Sequence, residues 1–231
     1  MHLVNRNFLT TEEVYQDLFH KIETLVYMPG VRISENDLCE TYGVSRHIIR
    51  NAITQLKALD LITVYPQRGT YVSLIDMKLV EDILYVREAV EQEALYRIMN
   101  LSDTTELISQ LEENLATQKK ISSHEITVAD FNTADTAFHR NLMNAVGKGN
   151  VLDLLKEEYV HVKRWKNFEL RDEKRYAQII RDHQAILDAI KMRSLTTGRN
   201  ALHQHLDTVT NLRDVFTTVN PEYFVGTEPT H

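Results

Sequence analysis

The most constraining feature of this sequence is the position of its β-prone residues. They form two short segments, 61–65 and 70–74, and the four residues between them end in glycine. This pattern is typical of a β-hairpin with the glycine in its turn. From Asp76 onward the apolar residues recur with helical periodicity. We therefore predict a mainly α-helical chain of two domains, residues 1–75 and 76–231, of which only the first contains strands.

Three helices are predicted ahead of the hairpin. Thr10 and Glu13 have the spacing of a capping box, which satisfies free backbone N–H groups at a helix start. Ser34 is expected to begin a second helix and Gly43 to end it, because glycine is common just after a helix C-terminus. Ser45 is expected to begin the third. Three helices with a tight turn before the third, followed by a hairpin, are typical of a winged helix-turn-helix.

The second domain is predicted to be an all-α six-helix bundle. Breaks in the helical periodicity fall at polar or glycine-containing segments, and Asn220-Pro221 is expected to end the last helix. The chain after Pro221 is expected to be frayed. The six predicted helices span residues 77–99, 103–120, 124–146, 150–169, 172–193 and 197–218.

Composition limits the classes of protein to which the chain can belong. A hydrophobic content of 43% is enough for globular cores, and no apolar segment approaches the ~20 residues needed to cross a bilayer. The single cysteine, Cys39, excludes an internal disulfide and suits a reducing compartment. The N-terminus lacks the pattern of a signal peptide. These features predict a cytoplasmic protein with no membrane partner.

The net charge of −7 does not by itself suggest a nucleic-acid-binding protein. Residues 1–75 carry seven Lys and Arg against eight Asp and Glu, so their net charge is −1 and the remaining −6 belongs to residues 76–231. Local patches of charge matter more than totals in DNA binding. Any affinity for DNA must therefore come from the placement of a few arginines.

The start of the third helix carries residue types that read DNA. Arg46 and Arg50 are four residues apart, so they project from one side of the helix, and arginine binds both guanine and phosphate. Ser45 can cap the helix and still contact a phosphate. At the hairpin tip Arg68 precedes Gly69, where a cation can neutralise the rim of the minor groove. A solvated surface arginine is the simpler explanation of each residue alone, but not of the joint pattern.

Four polar residues of the second domain lie where the helical pattern expects apolar ones. Asp135 and His139 are four residues apart on one helix, and His183 and His205 lie on the apolar faces of two others. A buried aspartate is costly unless it is paired or bound to a cation, and one carboxylate with three imidazoles suits a divalent transition metal. Buried ion pairs or hydrogen-bonded core histidines explain single residues, but not three helices that each contribute.

Two arginines are weaker candidates for binding an acid. Arg87 lies among apolar residues, where a guanidinium without a local partner can hold a carboxylate. A pair with Glu91, four residues further on, is nearly as good an explanation. Arg164 is a candidate for the opposite wall of such a pocket.

The motifs of the first domain resemble the winged helix of the GntR family of bacterial regulators. The resemblance implies that residues matching Ser45, Arg46, Arg50, Arg68 and Gly69 contact the operator. His47 and Asn51 depart from the residues common in that family, which would alter the sequence read rather than the mode of docking. The resemblance lies in Pro29-Gly30, Ile33-Ser34-Glu35, Gly43-Val44-Ser45-Arg46, Arg50 and Arg68-Gly69-Thr70-Tyr71-Val72.

The motif Asp135-x3-His139, followed by His183 and His205, resembles the FCD ligand-binding domain of the FadR branch of that family. This resemblance implies that the four residues bind a metal, zinc or nickel, which helps to hold an organic acid. Six helices would place the chain with the VanR-like members.

Together these features predict a DNA-binding transcription regulator, a repressor rather than an enzyme, whose metal site responds to a small carboxylate effector. Reading an inverted repeat of double-stranded DNA requires a homodimer. Three alternatives remain open. They are a regulator that responds to the metal itself, a metal-dependent hydrolase whose four residues activate water, and a metal-free relative that senses an acyl thioester.

Overall fold

The computed structural model of the protein describes residues 9–120, 127–171 and 174–226. Their contacts divide the chain into two compact units. The first, which we call the winged unit, contains the described residues up to Ile75 and those from Asn220 onward. The second, the helical unit, is Asp76–Val219.

The three predicted helices of the winged unit are present, and two of their predicted caps form. The Thr10 hydroxyl and the Glu13 carboxylate make both bonds of a capping box. Ser34 accepts a hydrogen bond from a backbone N–H of the second helix, and Gly43 ends that helix with φ +65°, a left-handed conformation that favours glycine. Ser45 precedes the third helix, but its side chain makes no capping hydrogen bond. The helices are α1 (Thr11–Glu23), α2 (Glu35–Tyr42) and α3 (Arg46–Ala58).

The wing is a three-stranded antiparallel sheet rather than the two strands predicted. The hairpin joins β2 (Ile62–Tyr65) to β3 (Gly69–Val72), with Tyr65 opposite Gly69, as the sequence indicated. The added strand, β1 (Arg32–Ile33), pairs with β3 on its other edge. With only two residues, β1 is too short to show the alternation that marks a strand in a sequence.

The core of the winged unit leaves one face of α3 exposed. Helix α1 buries Val14, Leu18 and Ile22, and it packs against α3. Helix α3 buries its own apolar stripe, which includes Ile49 and Leu56. The opposite side of α3 is therefore free to carry polar residues.

The chain after Val219 alters the boundary predicted for the second domain. A 3-10 helix, Pro221–Tyr223, leads to Phe224, which is fully buried. The backbone N–H of Ile75 donates to the carbonyl of Tyr223 at 2.9 Å, and the N–H of Val225 donates to the carbonyl of Ile75 at 3.0 Å. Residues 220–226 thus belong to the winged unit and are not frayed, because an aromatic side chain enters its core. The remainder of the predicted frayed tail lies outside the described residues.

The helical unit is all α, but the predicted number of six helices was wrong. Its described residues form seven α-helices, because the helix predicted at 197–218 ends at Leu206 and restarts at Thr208. The helix predicted at 150–169 also begins as a 3-10 helix, Gly149–Leu155, and becomes α-helical only at Tyr159. The α-helices are α4 (Met77–Met99), α5 (Thr105–Lys120), α6 (Val128–Ala145), α7 (Tyr159–Glu169), α8 (Lys174–Lys191), α9 (Leu195–Leu206) and α10 (Thr208–Val219).

No glycine or proline marks the break between α9 and α10, so the apolar periodicity alone did not reveal it. Asp207 caps α9 through a bond from its own backbone N–H to the carbonyl of His203. The helix count that would have placed the chain with the VanR-like members is therefore not observed.

Helices α6, α8 and α9 meet at the centre of the helical unit. Helix α4 packs against α6, α7 and α9, while α5 packs against α6 and α8, and α8 packs along α9. This arrangement brings the inward faces of α6, α8 and α9 together. Within the described parts of the chain, no helix has the length and apolar character to cross a membrane.

A candidate metal centre and a candidate DNA interface

The four predicted metal ligands converge inside the helical unit. Helix α6 presents Asp135 and His139 one turn apart, α8 presents His183, and α9 presents His205, all of them buried. Nε2 of His139 lies 3.1 Å from Nε2 of His205 and 3.2 Å from Nε2 of His183. Oδ1 of Asp135 lies 3.7 Å from Nε2 of His183. One donor atom from each of the four residues lies within 4.8 Å of the others.

The spacing and chemistry of these atoms fit a metal ion. Imidazole nitrogens bind zinc at about 2.0–2.1 Å, so neighbouring donors around one ion stand roughly 3.0–3.4 Å apart. Oδ1 of Asp135 is buried and makes no hydrogen bond to the described residues, which is costly unless a cation binds it. Three imidazoles and one carboxylate form a donor set that divalent transition metals accept.

His139 and His183 are oriented by partners on neighbouring helices. Nδ1 of His139 lies 2.6 Å from Oε2 of Glu91 on α4. Nδ1 of His183 lies 2.9 Å from Oε1 of Gln118 on α5. An acceptor at this position keeps the proton on Nδ1 and leaves the Nε2 lone pair for a metal.

These outer partners were missed in the sequence, although a signal for one of them exists. Gln118 is fully buried and continues the apolar stripe of α5. It could have been identified as the histidines were, as a polar residue at an apolar position of a helix. Glu91 was considered only as a partner of Arg87. Asp182, whose Oδ2 lies 3.7 Å from Nδ1 of His205, is too far away for a hydrogen bond.

The protonation states at the centre are those that a metal requires. Burial lowers the pKa of His139 to about 4, and the positive charge of Arg87 adds to the effect. Burial likewise lowers the pKa of His183 well below its ordinary value. Burial raises the pKa of Asp135, but the charge of Lys166 and those of the histidines oppose it, and the net pKa lies well below the ordinary value. Neutral imidazole and ionised carboxylate are the forms that bind metal ions.

Lys166 on α7 is a neighbour of the centre that the sequence did not reveal. Its ammonium group forms an ion pair with Oδ2 of Asp135, and its side chain is only 13% exposed. Burial lowers the pKa of Lys166, but its interactions with Asp135 and Tyr159 together outweigh burial, and the net pKa is raised. The pair compensates one oxygen of Asp135 and leaves the other facing the histidines. Lysines are common on helix surfaces, so nothing in the local pattern marks this one as buried.

A cavity of about 210 Å³ lies beside the centre. His139 and Arg87 line it, as do Tyr159 and Lys163 of α7 and Leu155 of the preceding 3-10 helix. Its volume exceeds the ~150 Å³ of an engineered cavity that holds benzene. A small organic molecule can therefore occupy it next to His139, a candidate metal ligand.

Arg87 connects this cavity to the centre. Its Nε donates to Oε1 of Glu91 at 2.6 Å, and its Nη1 donates to the hydroxyl of Tyr159. Burial raises the pKa of Glu91, but His139 and Arg87 lower it to about 2, so the carboxylate is ionised between them. Arg87 pairs with Glu91, as the alternative from the sequence has it, and it also lines the cavity. That Arg87 binds a carboxylate stays a prediction from the sequence.

Arg164 on α7 is fully buried, but it is not among the residues that line this cavity. Burial lowers its pKa to about 10. Its assignment to the wall of an effector pocket therefore stays a prediction from the sequence.

The predicted DNA-reading residues of α3 lie on the face that the winged core leaves open. Ser45, Arg46, His47 and Arg50 are exposed, and Asn51 is half-buried. Some of these side chains already have partners within the unit. Nε of Arg50 lies 2.9 Å from Oε2 of Glu35 on α2, and Nδ2 of Asn51 lies 3.1 Å from Nε2 of His47.

The wing tip brings together more positive charge than the sequence indicated. Arg68 is exposed, with its guanidinium 5.6 Å from the ring centre of Tyr65. Gly69 has φ +121°, and a Cβ atom at this position would stand 3.1 Å from Nε of Arg32. Arg32 thus lies beside the turn, and it was missed because β1 was not predicted.

Two regions of the chain match known protein families. Residues 10–72 match the gntR family of bacterial regulatory proteins. Residues 82–208 match the FCD domain. The two matches fall in the winged unit and the helical unit, respectively.

Similar proteins and structures extend over nearly the whole chain. An uncharacterized HTH-type transcriptional regulator in an unstable DNA locus of Streptomyces ambofaciens is 30% identical over 92% of this chain and 88% of its own. The HTH-type transcriptional repressor RspR of Escherichia coli K12 is 26% identical over 92% of each chain. A GntR transcriptional regulator from Rhodococcus sp. RHA1 shares the fold, with a TM-score of 0.70, 20% identity and coverage of 88% of this chain and 97% of its own. The chain therefore belongs to the GntR family of bacterial DNA-binding transcriptional regulators and carries an FCD domain.

Proposed function

We propose that this regulator holds a divalent metal, zinc or nickel, in its helical unit and responds to a small carboxylate effector that binds beside the metal. The observation that carries the proposal is the convergence of one carboxylate and three imidazoles in the bundle core, with Oδ1 of Asp135 otherwise unpartnered. The ligands are Asp135, His139, His183 and His205.

The cavity supports the location of the effector. It is lined by His139 and by Arg87, so a carboxylate in it would lie next to a metal ligand and a guanidinium. A bound metal supplies Lewis-acid attraction for that carboxylate. Arg87 supplies a charged hydrogen-bond donor, and Tyr159 orients Arg87 through its hydroxyl.

The exposed face of α3 and the wing tip support the proposed DNA contacts. Two copies of the chain would bind an inverted repeat of double-stranded DNA in the cytoplasm and repress transcription, since a palindrome requires a two-fold symmetric reader. Binding of the effector changes the affinity for DNA only if the effector prefers one of two arrangements of the dimer. The proposed contact residues are Ser45, Arg46, His47, Arg50, Asn51, Arg68 and Gly69.

A matched pair of variants on α9 tests the metal site. His205→Ala removes a proposed ligand, whereas His203→Ala removes a side chain that is 61% exposed and paired with Glu88. Metal content by native mass spectrometry should fall in the first variant and remain at the wild-type level in the second. Equal metal content in both variants would refute the assignment of the ligands.

Operator affinity then separates the proposal from its rivals. We expect metal-loaded protein to change its affinity for DNA further when a small carboxylate is added. A full response to metal alone would instead indicate a metal sensor. An unaltered acid response in His183→Ala would indicate the metal-free relative that senses a thioester, and turnover of an ester by the loaded protein would indicate a hydrolase.

A further inference from the structure

We infer that Arg32 on β1 is a further DNA-contacting residue, whose guanidinium binds a backbone phosphate at the rim of the groove that receives Arg68. This contact rests on the proposed function, since it requires the wing to dock against DNA, and it adds a residue to the proposed set. The affinity that Arg32 supplies is independent of sequence, because phosphates carry no base identity.

The two faces of the wing sheet differ in polarity. The residues that its inner face buries are Ile33, Ile62 and Val72. Arg32 precedes Ile33 on β1, so it points to the outer face, where it is exposed. Tyr71 lies opposite Arg32 in the register, and Tyr65 lies opposite Gly69, two residues before Tyr71. Arg32 and the two tyrosines therefore share the outer face.

The hairpin turn brings Arg68 to the same face. The guanidinium of Arg68 lies 5.6 Å from the ring centre of Tyr65, and the rings of Tyr65 and Tyr71 meet edge-on with their centres 5.7 Å apart. The hydroxyl of Tyr71 donates to the backbone carbonyl of Arg68 at 3.0 Å. The two tyrosines thus hold the turn and its arginine on the face that carries Arg32.

Gly69 allows Arg32 to approach this turn closely. A Cβ atom at position 69 would stand 3.1 Å from Nε of Arg32 and 3.6 Å from its Nη2. The guanidinium of Arg32 therefore lies over the backbone of the residue that follows Arg68. Arg32 and Arg68 place two positive charges at one turn.

The wing itself supplies no carboxylate to these two arginines. Residues 25–33 and 61–75 contain Arg32 and Arg68 but no other lysine or arginine, and no aspartate or glutamate. Among the described residues, no hydrogen bond or ion pair engages the side chain of Arg32, whereas Arg50 is paired with Glu35. Two cations kept together in this way suit an anionic partner, and the phosphates of DNA are such a partner for a DNA-binding regulator.

The position of Arg32 favours a phosphate over a base. Arg32 is paired with Tyr71, so Gly69 is its diagonal neighbour on β3, a separation of about 7–8 Å between Cα atoms. The minor groove is about 6 Å wide and is bordered by phosphates. When Arg68 at the tip enters the groove, Arg32 is set back by one diagonal step and meets the rim. The planar guanidinium can bind a phosphate through two hydrogen bonds.

Two substitutions of similar length separate the charge of Arg32 from its packing over Gly69. Arg32→Met keeps an unbranched side chain without the charge, and Arg32→Lys keeps the charge. Fluorescence anisotropy with full-length protein over a series of salt concentrations measures binding to two probes. One is a duplex that the wild-type protein selects from a random-sequence pool, and the other is a duplex of arbitrary sequence.

We expect Arg32→Met to bind both duplexes about tenfold more weakly at low salt. The slope of log affinity against log salt should be smaller by about one, because one phosphate contact fewer releases fewer counterions. Arg32→Lys should retain the slope and most of the affinity. Lys57→Gln is the control for charge, because Lys57 is an exposed cation in the last turn of α3, and its slope should equal that of wild type.

Three outcomes would overturn the assignment of Arg32. An equal loss in Arg32→Met and Arg32→Lys would assign the effect to packing, and an equal loss in Lys57→Gln would assign it to the general field. A loss confined to the selected duplex would exclude a phosphate contact.

Arg68→Gln distinguishes failure of this contact from failure of the proposed function. Weaker binding by Arg68→Gln together with wild-type binding by Arg32→Met would overturn the role of Arg32 alone. Wild-type binding of both duplexes by Arg68→Gln would instead show that the wing tip does not dock against DNA, which contradicts the proposed set of contacts.

Discussion

The two units of this chain use polar residues in opposite ways. In the winged unit the candidate DNA-reading arginines are exposed, and α3 is stabilised by the apolar residues on its other face. In the helical unit the candidate ligands are buried, and the side chains that bond to three of them, Lys166, Glu91 and Gln118, are themselves polar or charged. Exposed charges can be changed at little cost to folding, whereas a buried charge that loses its partner is costly. Function and stability should therefore be separable in the winged unit and coupled in the helical unit.

The largest expected effect is the loss of stability when the buried pair of Asp135 and Lys166 is broken. Asp135→Ala leaves the ammonium of Lys166 without its carboxylate, which should cost about 3–5 kcal/mol in the metal-free protein. Urea unfolding followed by Trp165 fluorescence measures it, since Trp165 is the only tryptophan in the sequence and lies in the helical unit. Asp153→Ala breaks the more exposed pair with Arg140 and should cost less than about 1 kcal/mol. Similar losses of stability in the two variants would contradict the expected difference between buried and exposed ion pairs.

Acidification should also affect the two units differently. Burial lowers the pKa of His139 to about 4, whereas the unfolded chain takes up this proton near the ordinary value of about 6.5. Between these values the unfolded state binds more protons, so the contribution of His139 to stability is complete above about 6.5 and is lost as the pH falls toward 4.

The described residues of the winged unit include no buried histidine, so its stability should change less over this range. Hydrogen exchange of metal-free protein at several pH values between about 7.5 and about 5 resolves the two units. Equal loss of protection in both would show that the buried histidines do not set the acid response.

The next effect concerns the orientation of His139, a proposed metal ligand. Glu91→Gln removes the negative charge that faces Nδ1 of His139, and metal affinity should fall by about 10- to 100-fold. Competition with a chelator of known affinity measures the change. Glu88→Gln, on the same helix but paired with exposed His203, should leave the affinity at the wild-type value. A similar fall in both variants would point to a general effect of charge.

In the winged unit, Arg46→Ala should weaken DNA binding with little effect on folding. Loss of one base or phosphate contact costs about 1–3 kcal/mol of affinity, while the free energy of unfolding should stay within about 0.5 kcal/mol of wild type because Arg46 is exposed. Fluorescence anisotropy with an operator fragment and urea unfolding check the two values. A large loss of stability would contradict the separation of folding from function in this unit.

The smallest expected effect is that of replacing Glu35, whose Oε2 lies 2.9 Å from Nε of Arg50. Glu35→Gln frees the guanidinium and removes a negative charge near the exposed face of α3, so affinity for DNA of arbitrary sequence should rise a few-fold and depend more steeply on salt. A salt titration of non-specific binding measures it. Glu40→Gln, an exposed change elsewhere on α2, controls for net charge, and an equal rise in that variant would exclude a specific role of the pair.

Local sequence determined most of the secondary structure and the identity of the four candidate ligands. Caps such as the one formed by Thr10 and Glu13, and the left-handed turn at Gly43, depend on a few adjacent residues, so they are visible in the chain itself. Asp135 and the three histidines were identifiable because a polar residue at an apolar position of a helix must be buried together with a partner.

Tertiary structure decided which side chains meet. Lys166 contacts Asp135 across 31 positions of sequence, and Gln118 contacts His183 across 65. Helical periodicity reports which face of a helix is buried, but not which residue of another helix faces it. For the same reason the addition of β1 to the wing, and the burial of Phe224 beside Ile75, could be found only once distant segments were packed together.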